Sequence, residues 1–86
     1  MYHTYVLYSK KFDKIYIGQT SNLDMRIVQH NSSQVTSTKR YAPWELIHSE
    51  EFQTRSEAMK REKELKSHKG RDFIRNKLVR VRQLPD

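Results

Sequence analysis

Five side chains of the types that handle protons, charge and metal ions occur along this 86-residue chain. Tyr5 and Tyr16 lie in two short aromatic segments near the N-terminus, Arg26 and His30 follow four residues apart, and Glu62 comes much later. A tyrosine or histidine can transfer a proton, an arginine carries a fixed positive charge, and a carboxylate can bind a metal ion. Together these groups are what hydrolysis of a phosphodiester bond requires.

Glu62 lies on the apolar stripe of a predicted helix. At 100° per residue, Ala58, Glu62 and Leu65 fall within about 60° of one another, whereas Glu57 and Glu64 point away from them. A carboxylate beside apolar residues is costly unless a cation or hydrogen-bond donors satisfy it. A bound metal ion and a buried ion pair with an arginine or lysine explain this position equally well.

Arg26 and His30 are one helical turn apart and lie next to a stripe formed by Leu23 and Ile27. Arginine suits a scissile phosphate because it stays charged and offers two parallel donors in one plane. A histidine there can hydrogen-bond the phosphate or assist proton transfer. Taken alone, the pair fits an ordinary polar pair at a helix edge better.

The two tyrosines lie in segments that read as the strands of a hairpin. Tyrosine is common in strands for its packing alone, and it acts as a general base only where positive charge lowers its pKa from about 10. The register of the hairpin decides which tyrosine lies beside Tyr16. If the numbers of two paired residues add up to an odd number, Tyr5 lies on the same face as Tyr16, and if the sum is even, Tyr8 lies there instead. Gly18 is expected to permit a close approach or a bulge beside the site.

The length, charge and composition of the chain limit the classes of protein to which it can belong. At 86 residues we expect one domain over residues 1–86, and a formal charge of +7 with a pI of about 9.9 predicts attraction to polyanions, nucleic acid first. The absence of cysteine excludes disulfides and thiolate metal sites. Residues 1–4 lack the apolar run of a signal peptide, and no stretch could span a membrane, so we expect a soluble cytoplasmic protein.

The hydrophobic pattern predicts an α+β fold of order ββαβαα, with a three-stranded antiparallel sheet flanked by helices. Strands are expected over 2–9, 15–20 and 44–52. Helices are expected over 23–30 with Ser21 or Asn22 as N-cap, over 55–67 after a capping box opened by Thr54, and over about 72–81. Gly70 is expected to break the second helix, and Ile74, Leu78 and Val81 to form one stripe of the third.

Two groups of cations are candidates for contact with a nucleic acid. Lys39 and Arg40 end a polar loop over residues 31–40, and a second group follows Gly70. That second group comprises Arg71, Arg75, Lys77, Arg80 and Arg82. Both groups could follow a phosphate backbone, and a solvated basic surface explains the second group equally well. The remaining histidines, His3, His48 and His68, are too scattered to predict a metal cluster.

Taken together, the segments resemble the GIY-YIG nuclease superfamily, particularly its small stand-alone bacterial members. The similarity runs through HTYVLYS, KIYIGQTSNLDMRIVQHN, PWELIHSEEF and SEAMKREKELKSHKGRDFI. The ordered pattern of Tyr16-Ile17-Gly18, Thr20 to Leu23, and Arg26-x3-His30 is far more specific than any isolated motif. The same resemblance extends to the nuclease domains of an excision-repair endonuclease subunit and of homing endonucleases.

The resemblance implies metal-dependent hydrolysis of DNA on this fold. By position, Tyr5 and Tyr16 are similar to the tyrosines of the two family motifs, and Arg26, His30 and Glu62 to its arginine, histidine and metal-binding glutamate. Lys39 is similar to a further basic residue near the site. The first motif keeps only its tyrosine, in His3-Thr4-Tyr5. Asn76 is the one candidate for an asparagine that many members carry, and its spacing from Glu62 does not match cleanly.

The resulting hypothesis is an endonuclease that uses a single Mg²⁺ or Mn²⁺ ion held by Glu62. Tyr16 would help remove a proton from water, Arg26 would stabilise the phosphate, and Tyr5 and His30 would position the nucleophile or the phosphate. The expected partner is DNA, and branched DNA, single-stranded DNA and RNA are left open as substrates. The protein itself is expected to be a monomer or a weak homodimer. A non-catalytic nucleic-acid-binding module and a protein-interaction domain are the alternatives.

Overall fold

A three-stranded antiparallel sheet, with strand order β2-β1-β3, forms the centre of the molecule. The computed structural model describes residues 1–80. The strands are β1 (Tyr2–Ser9), β2 (Lys14–Thr20) and β3 (Glu45–Phe52), and the helices are α1 (Leu23–Asn31), α2 (Arg55–Lys66) and α3 (His68–Phe73). A short 3₁₀ turn (Lys39–Tyr41) precedes β3, and a π-helical turn (Ile74–Val79) follows α3. The predicted order of strands and helices is confirmed.

The β1–β2 hairpin has an odd pairing sum, which settles the face on which each tyrosine lies. His3 is paired with Thr20 and Tyr5 with Gly18, and the register is unbroken to Ser9 and Lys14. Tyr5 and Tyr16 therefore share one face of the sheet, and Tyr8 lies on the other. Asp13 closes the turn with a positive φ of 53°, a conformation that aspartate tolerates better than most residues.

Each face of the sheet carries its own apolar cluster. On the first face, Tyr5 and Leu7 pack with Trp44 and with Leu23 and Ile27 of α1. On the second face, the strand residues pack against α2 and the C-terminal helical segment. The buried members there are Val6, Tyr8, Ile17, Ile47, Leu65, Ile74 and Val79. Each fully buried side chain of this size contributes about 1.5–3 kcal/mol of transfer free energy.

Helix α2 begins and docks through threonine hydroxyls. Thr54 forms the predicted capping box: its hydroxyl accepts from the Glu57 backbone N–H at 3.2 Å, while the Glu57 carboxylate accepts from the Thr54 backbone N–H at 3.2 Å. The Thr4 hydroxyl donates to the Ala58 carbonyl at 2.6 Å and ties the helix to β1. Within residues 1–80 no helix is long and apolar enough to cross a membrane.

Helix α2 ends at Lys66, next to the predicted end at residue 67, but the residue that ends it differs from the prediction. Ser67, and not Gly70, breaks the helix: its backbone is extended at ψ 168°, and its hydroxyl accepts from the Gly70 N–H to cap α3. Gly70 lies inside α3, where a Cβ atom would come within 2.5 Å of the Leu65 backbone. The glycine is therefore explained by close helix packing, since any side chain would push α3 away from α2.

In the last helix, the predicted stripe is confirmed for Ile74 and Leu78, which pack on the same cluster, but the prediction missed Val79. Ile74 and Val79 are buried, Leu78 is only partly buried, and Val81 lies outside the described residues. A π-helical turn has its hydrogen bonds between residues five apart, so Ile74 and Val79 come to lie on the same side. An assumed α-helical period could not have predicted that pair.

Candidate active site

Tyr5 and Tyr16 meet above Gly18. A Cβ atom at Gly18 would lie 2.7 Å from the Tyr5 hydroxyl oxygen and 3.0 Å from a ring carbon of Tyr16, closer than real Cβ contacts allow. The two rings lie 6.2 Å apart between centroids. The predicted close approach at Gly18 is confirmed, and the hairpin register is continuous there, without a bulge.

Helix α1 brings Arg26 and His30 to the same face of the sheet. Asn22 is the N-cap, since its side chain accepts from the Met25 N–H at 3.2 Å. The Leu23 and Ile27 stripe packs on the sheet, so residues one turn apart beside it point towards the tyrosines. His30 has no exposed surface, and its Nε2 lies 3.0 Å from the Tyr5 hydroxyl oxygen. His30 is therefore a core residue of the site and not a polar residue at a helix edge.

The other ring nitrogen of His30 contacts a residue that the sequence did not indicate. His30 Nδ1 lies 2.8 Å from Thr38 Oγ1, and Thr38 is 1% exposed. The Trp44 indole N–H donates to the Thr38 carbonyl at 2.9 Å and fixes the loop there. A buried histidine needs a partner for each ring nitrogen, so a hydroxyl in the following loop could have been expected. The loop has no periodicity that would select Thr38.

Burial and charge set the protonation of these groups. Burial, opposed by the Arg26 guanidinium, raises the pKa of Tyr5 to about 12, with Tyr16 and Glu62 adding to the rise. Burial and the positive charge of Arg26 lower the pKa of His30 to about 4. The pKa of Arg26 is raised, above all by its interaction with the Tyr5 hydroxyl. At neutral pH, Tyr5 is a phenol, His30 is uncharged and Arg26 is a cation.

Tyr16 differs from Tyr5 because it is only partly buried. Its ring centroid lies 4.8 Å from that of His30 and 6.4 Å from that of Trp44, so one side packs in the site. It also lines a cavity of about 470 Å³ at the outer edge of β2. Four cations line the same cavity: Lys14, Lys66, Arg71 and Arg75. We call this the β2-edge groove.

Glu62 lies at the edge of the apolar stripe of α2, as predicted. Ala58 and Leu65 are buried, and the Glu62 side chain keeps 24% of its exposure. Its carboxylate accepts from Lys66 Nζ at 2.8 Å, so the ion pair that was one of the two explanations is present. The negative charge of Glu62 also reaches Tyr5, where it contributes to the raised pKa. The i,i+4 spacing of Glu62 and Lys66 could have predicted this pair.

A second cavity, of about 410 Å³, adjoins Arg26. Arg55 of α2 lines it together with Arg26 and polar residues between Gln19 and Gln29. Arg55 is seven residues before Glu62 and so lies on the same side of α2. Arg55 is not among the residues predicted from the sequence, although its spacing from Glu62 is readable there. Cations therefore line the open space on both sides of the tyrosine pair.

The remaining predicted residues are spread around the site. Lys39 and Arg40 are exposed on the 3₁₀ turn directly after Thr38. Arg75 lines the β2-edge groove and also contacts the Asp13 carboxylate at 2.6 Å. Asn76 is exposed on the π-helical turn, and no contact joins it to the site within residues 1–80. Arg82 lies outside the described residues.

Comparison with known proteins agrees with this arrangement. The family model described as the GIY-YIG catalytic domain matches residues 1–77. The chain belongs to the GIY-YIG family. A UPF0213 protein of Natronomonas pharaonis is 37% identical over 67 residues, which are 77% of this chain and 78% of that protein. A UPF0213 protein of Staphylococcus saprophyticus is 36% identical over 72 residues, 83% of this chain and 82% of that protein.

A solved structure is similar over the same range. The solution NMR structure of the UPF0213 protein BH0048 from Bacillus halodurans has a TM-score of 0.52 at 28% identity. The match covers 99% of this chain and 89% of that one. The predicted α+β fold and the resemblance to small stand-alone GIY-YIG proteins are confirmed. Membership of this nuclease family supports an endonuclease-type function and a nucleic-acid substrate.

Proposed function

We propose that this GIY-YIG protein is a metal-dependent endonuclease that hydrolyses DNA phosphodiester bonds. The observation that carries the proposal is the charge of Arg26. Within residues 1–80 no ion pair includes Arg26, whose side-chain partners are the neutral Gln29 and the phenols of Tyr5 and Tyr16. A guanidinium left without a carboxylate beside an open cavity is suited to a phosphate.

Tyr16 is assigned as the general base in preference to Tyr5. The Tyr5 hydroxyl is buried against His30 and Arg26, and its pKa of about 12 keeps the proton on the oxygen. Tyr16 opens onto the β2-edge groove, where a water molecule and a phosphate have access. A base must reach the proton that it removes, and of the two tyrosines only Tyr16 is open to that groove.

Glu62 is the residue that would hold the divalent ion. No group of three His, Asp or Glu side chains within residues 1–80 could hold a metal on its own. A single carboxylate at the site still fits Mg²⁺ or Mn²⁺, because such ions keep several waters and use substrate phosphate oxygens as ligands. A bound ion would supply positive charge to the phosphate. Lys66 would release the Glu62 carboxylate at a modest cost, because the Lys66 side chain is about half exposed.

The proposed hydrolysis uses these side chains in a single displacement. To act as the base, Tyr16 first releases its phenol proton to solvent, and its oxygen then takes a proton from water as the water oxygen attacks phosphorus. The bond from phosphorus to the leaving oxygen breaks, the leaving oxygen takes a proton from Tyr16 or solvent, and Arg26 donates hydrogen bonds to the phosphate as its charge grows. The buried Tyr5 and His30 do not touch the phosphate in this proposal but hold Arg26 and the wall of the site in place.

The β2-edge groove is the proposed path for the nucleic-acid strand next to the scissile bond. Lys14, Arg71 and Arg75 lie along it on the side of Tyr16. Such cations position a backbone without reading its sequence, so they are compatible with branched or single-stranded DNA and with RNA. Lys39 and Arg40 are proposed to contact the strand beyond Thr38, in a monomer or a weak homodimer.

The test is cleavage of labelled duplex, single-stranded and branched DNA with Mg²⁺, Mn²⁺ or EDTA, comparing wild type with Glu62→Ala. Loss of a metal ligand removes several kcal/mol of transition-state stabilisation, so the rate should fall more than about 100-fold while DNA binding stays nearly intact. Glu64→Ala is the matched control, because that carboxylate lies on the same helix and only contacts Arg61 at 3.7 Å. Loss of binding together with cleavage in Glu62→Ala would contradict the assignment.

The ion pair between Glu62 and Lys66 favours a second candidate, a nucleic-acid-binding module without hydrolytic activity. The carboxylate has a cation partner in this structure, and the grooves alone would account for binding. Retention of DNA with no cleavage under any metal condition would select this candidate. Cleavage that EDTA abolishes would exclude it.

A further inference from the structure

His30 has two hydrogen-bond partners and no contact with solvent. Its Nε2 lies 3.0 Å from the Tyr5 hydroxyl oxygen, and its Nδ1 lies 2.8 Å from Thr38 Oγ1. Both partners are hydroxyls, and each is 1% exposed. A neutral imidazole has one donor and one acceptor nitrogen, so the two partners together decide which nitrogen carries the hydrogen.

The contacts of Thr38 favour the hydrogen on Nδ1. Thr38 Oγ1 lies 3.4 Å from the Val35 carbonyl, which can only accept. A hydroxyl hydrogen directed to this carbonyl leaves the lone pairs of Oγ1 facing His30. Nδ1–H then donates to Oγ1.

The contacts of Tyr5 are compatible with the same tautomer. Arg26, which interacts with the Tyr5 oxygen, offers only N–H donors. The Tyr5 oxygen accepts from Arg26, so its own hydrogen is free to donate to Nε2. A single line of bonds follows, from Arg26 to Tyr5, His30, Thr38 and the Val35 carbonyl, with every donor facing an acceptor.

The position of Thr38, near one end of this chain of hydrogen bonds, is fixed by its own backbone contacts. Its backbone N–H donates to the Val35 carbonyl at 3.1 Å, and its own carbonyl accepts from the Trp44 indole at 2.9 Å. The Asn31 side chain in turn bonds the Trp44 backbone N–H and carbonyl, joining the end of α1 to the start of β3. These bonds hold the Thr38 backbone, and the Val35 carbonyl is a further acceptor for its hydroxyl.

We propose that Thr38 is a positioning residue that fixes His30 as the Nδ1–H tautomer, so that Tyr5 donates to Nε2 and presents its oxygen to the Arg26 guanidinium. The orientation of Arg26 then depends on a buried hydroxyl three contacts away. The effect on cleavage rests on the proposed function, whereas the tautomer is a property of the protein alone.

The first measurement is the tautomer itself, from long-range ¹H–¹⁵N spectra of the imidazole at pH 7 in wild type, Thr38→Val and Thr38→Ser. We expect Nδ1–H in wild type and in Thr38→Ser, which keeps the hydroxyl. Thr38→Val leaves Nδ1 without a partner, so the hydrogen should move to Nε2, where it competes with Arg26 for the Tyr5 oxygen. Nε2–H in the wild-type protein would overturn the proposal whether or not Thr38→Val folds.

The second measurement is cleavage by the same three proteins. Loss of a residue that orients a catalytic group typically lowers activity about 10–100-fold, and the loss should fall on kcat with KM little changed. Thr38→Ser should restore most of the rate. A changed tautomer in Thr38→Val with unchanged kcat would overturn the link to Arg26. Absence of cleavage in wild type would overturn the proposed function and leave the tautomer assignment to be decided by the spectra.

Discussion

Each face of the sheet carries a polar network. The network on the α1 face is centred on a histidine and consists of neutral groups, whereas the network on the α2 face is centred on a glutamate and consists of charged groups. On the face of α1, His30 is bonded to the Tyr5 and Thr38 hydroxyls, and all three are buried and uncharged. On the face of α2, Arg61 Nε donates to both oxygens of Glu50 at 3.0 and 3.1 Å, and both side chains keep about a third of their exposure. Buried neutral bonds give one fixed geometry, whereas partly exposed ion pairs tolerate several.

The difference decides which arginine can act on a substrate. Arg26 and Arg61 are both partly buried, each on a helix beside the sheet. The charge of Arg61 is neutralised by Glu50, with Glu64 at 3.7 Å, whereas the partners of Arg26 are neutral. A phosphate would therefore compete with a carboxylate at Arg61 but not at Arg26. The network without carboxylates keeps one positive charge available at the proposed site.

Substitution of one tyrosine from each face gives the largest expected contrast. Tyr16→Phe removes the proposed base, and general-base catalysis contributes about 10²–10⁴-fold, so turnover should fall by that factor with the fold intact. Tyr8→Phe on the other face removes a hydrogen bond to Asp13 of 2.9 Å, which should cost stability by about 1 kcal/mol and leave turnover nearly unchanged. The measurements are kcat on labelled DNA and urea unfolding. Near-normal turnover in Tyr16→Phe would rule out Tyr16 as the base.

Exchange of arginine for lysine on each face should give a somewhat smaller contrast. Arg26→Lys keeps the charge but loses the paired donors, so kcat should fall about 10²–10³-fold, the range for loss of one stabilising donor at a transition state. Arg61→Lys should leave kcat within about twofold and shift the free energy of unfolding by less than about 1 kcal/mol. Equal losses of kcat in the two variants would mean that carboxylate pairing does not determine which arginine acts.

The parts of this contrast that could be predicted from the sequence are those set by neighbouring residues in the chain. Strand alternation narrowed the tyrosine pair to two registers, and helical spacing placed Glu62 beside Ala58 and Leu65. Both signals are local and periodic, so they are readable before folding.

The residues that the sequence missed depend on contacts between distant segments. The role of Thr38 follows from its bonds to His30 and Trp44, and the need for glycine at position 70 follows from the close backbone of Leu65. A loop without periodicity and a glycine inside a helix give no local sign of those partners, because the constraint comes from the other segment. The family resemblance indicated the tyrosines, Arg26, His30 and Glu62, but not the loop residue that holds His30.

The networks on the two faces should lose their contributions to the free energy of unfolding at different pH values. Burial and Arg26 lower the pKa of His30 from 6.5 to about 4, so the unfolded chain takes up a proton at pH 5 that the folded protein does not. Stability from neutral His30 is therefore complete above pH 6.5 and is lost as the pH falls to 4, on the order of 3 kcal/mol in total.

The network around Glu50 should weaken only at lower pH. Burial acts to raise the pKa of Glu50, but its bonds to His48 and Arg61 lower the pKa below the ordinary value of 4.5. A lowered carboxyl pKa gives stability that is present above 4.5 and is lost as the pH falls through the folded value.

Urea unfolding from pH 7 to pH 3 should therefore show two successive losses. His30→Gln should remove the loss between pH 6.5 and 4, and Glu50→Gln should reduce only the later one. If His30→Gln kept the full wild-type slope above pH 4.5, the buried imidazole would not be the group that makes the site face sensitive to acid. The contrast between a neutral and an ionic network would then no longer account for the different behaviour of the two faces.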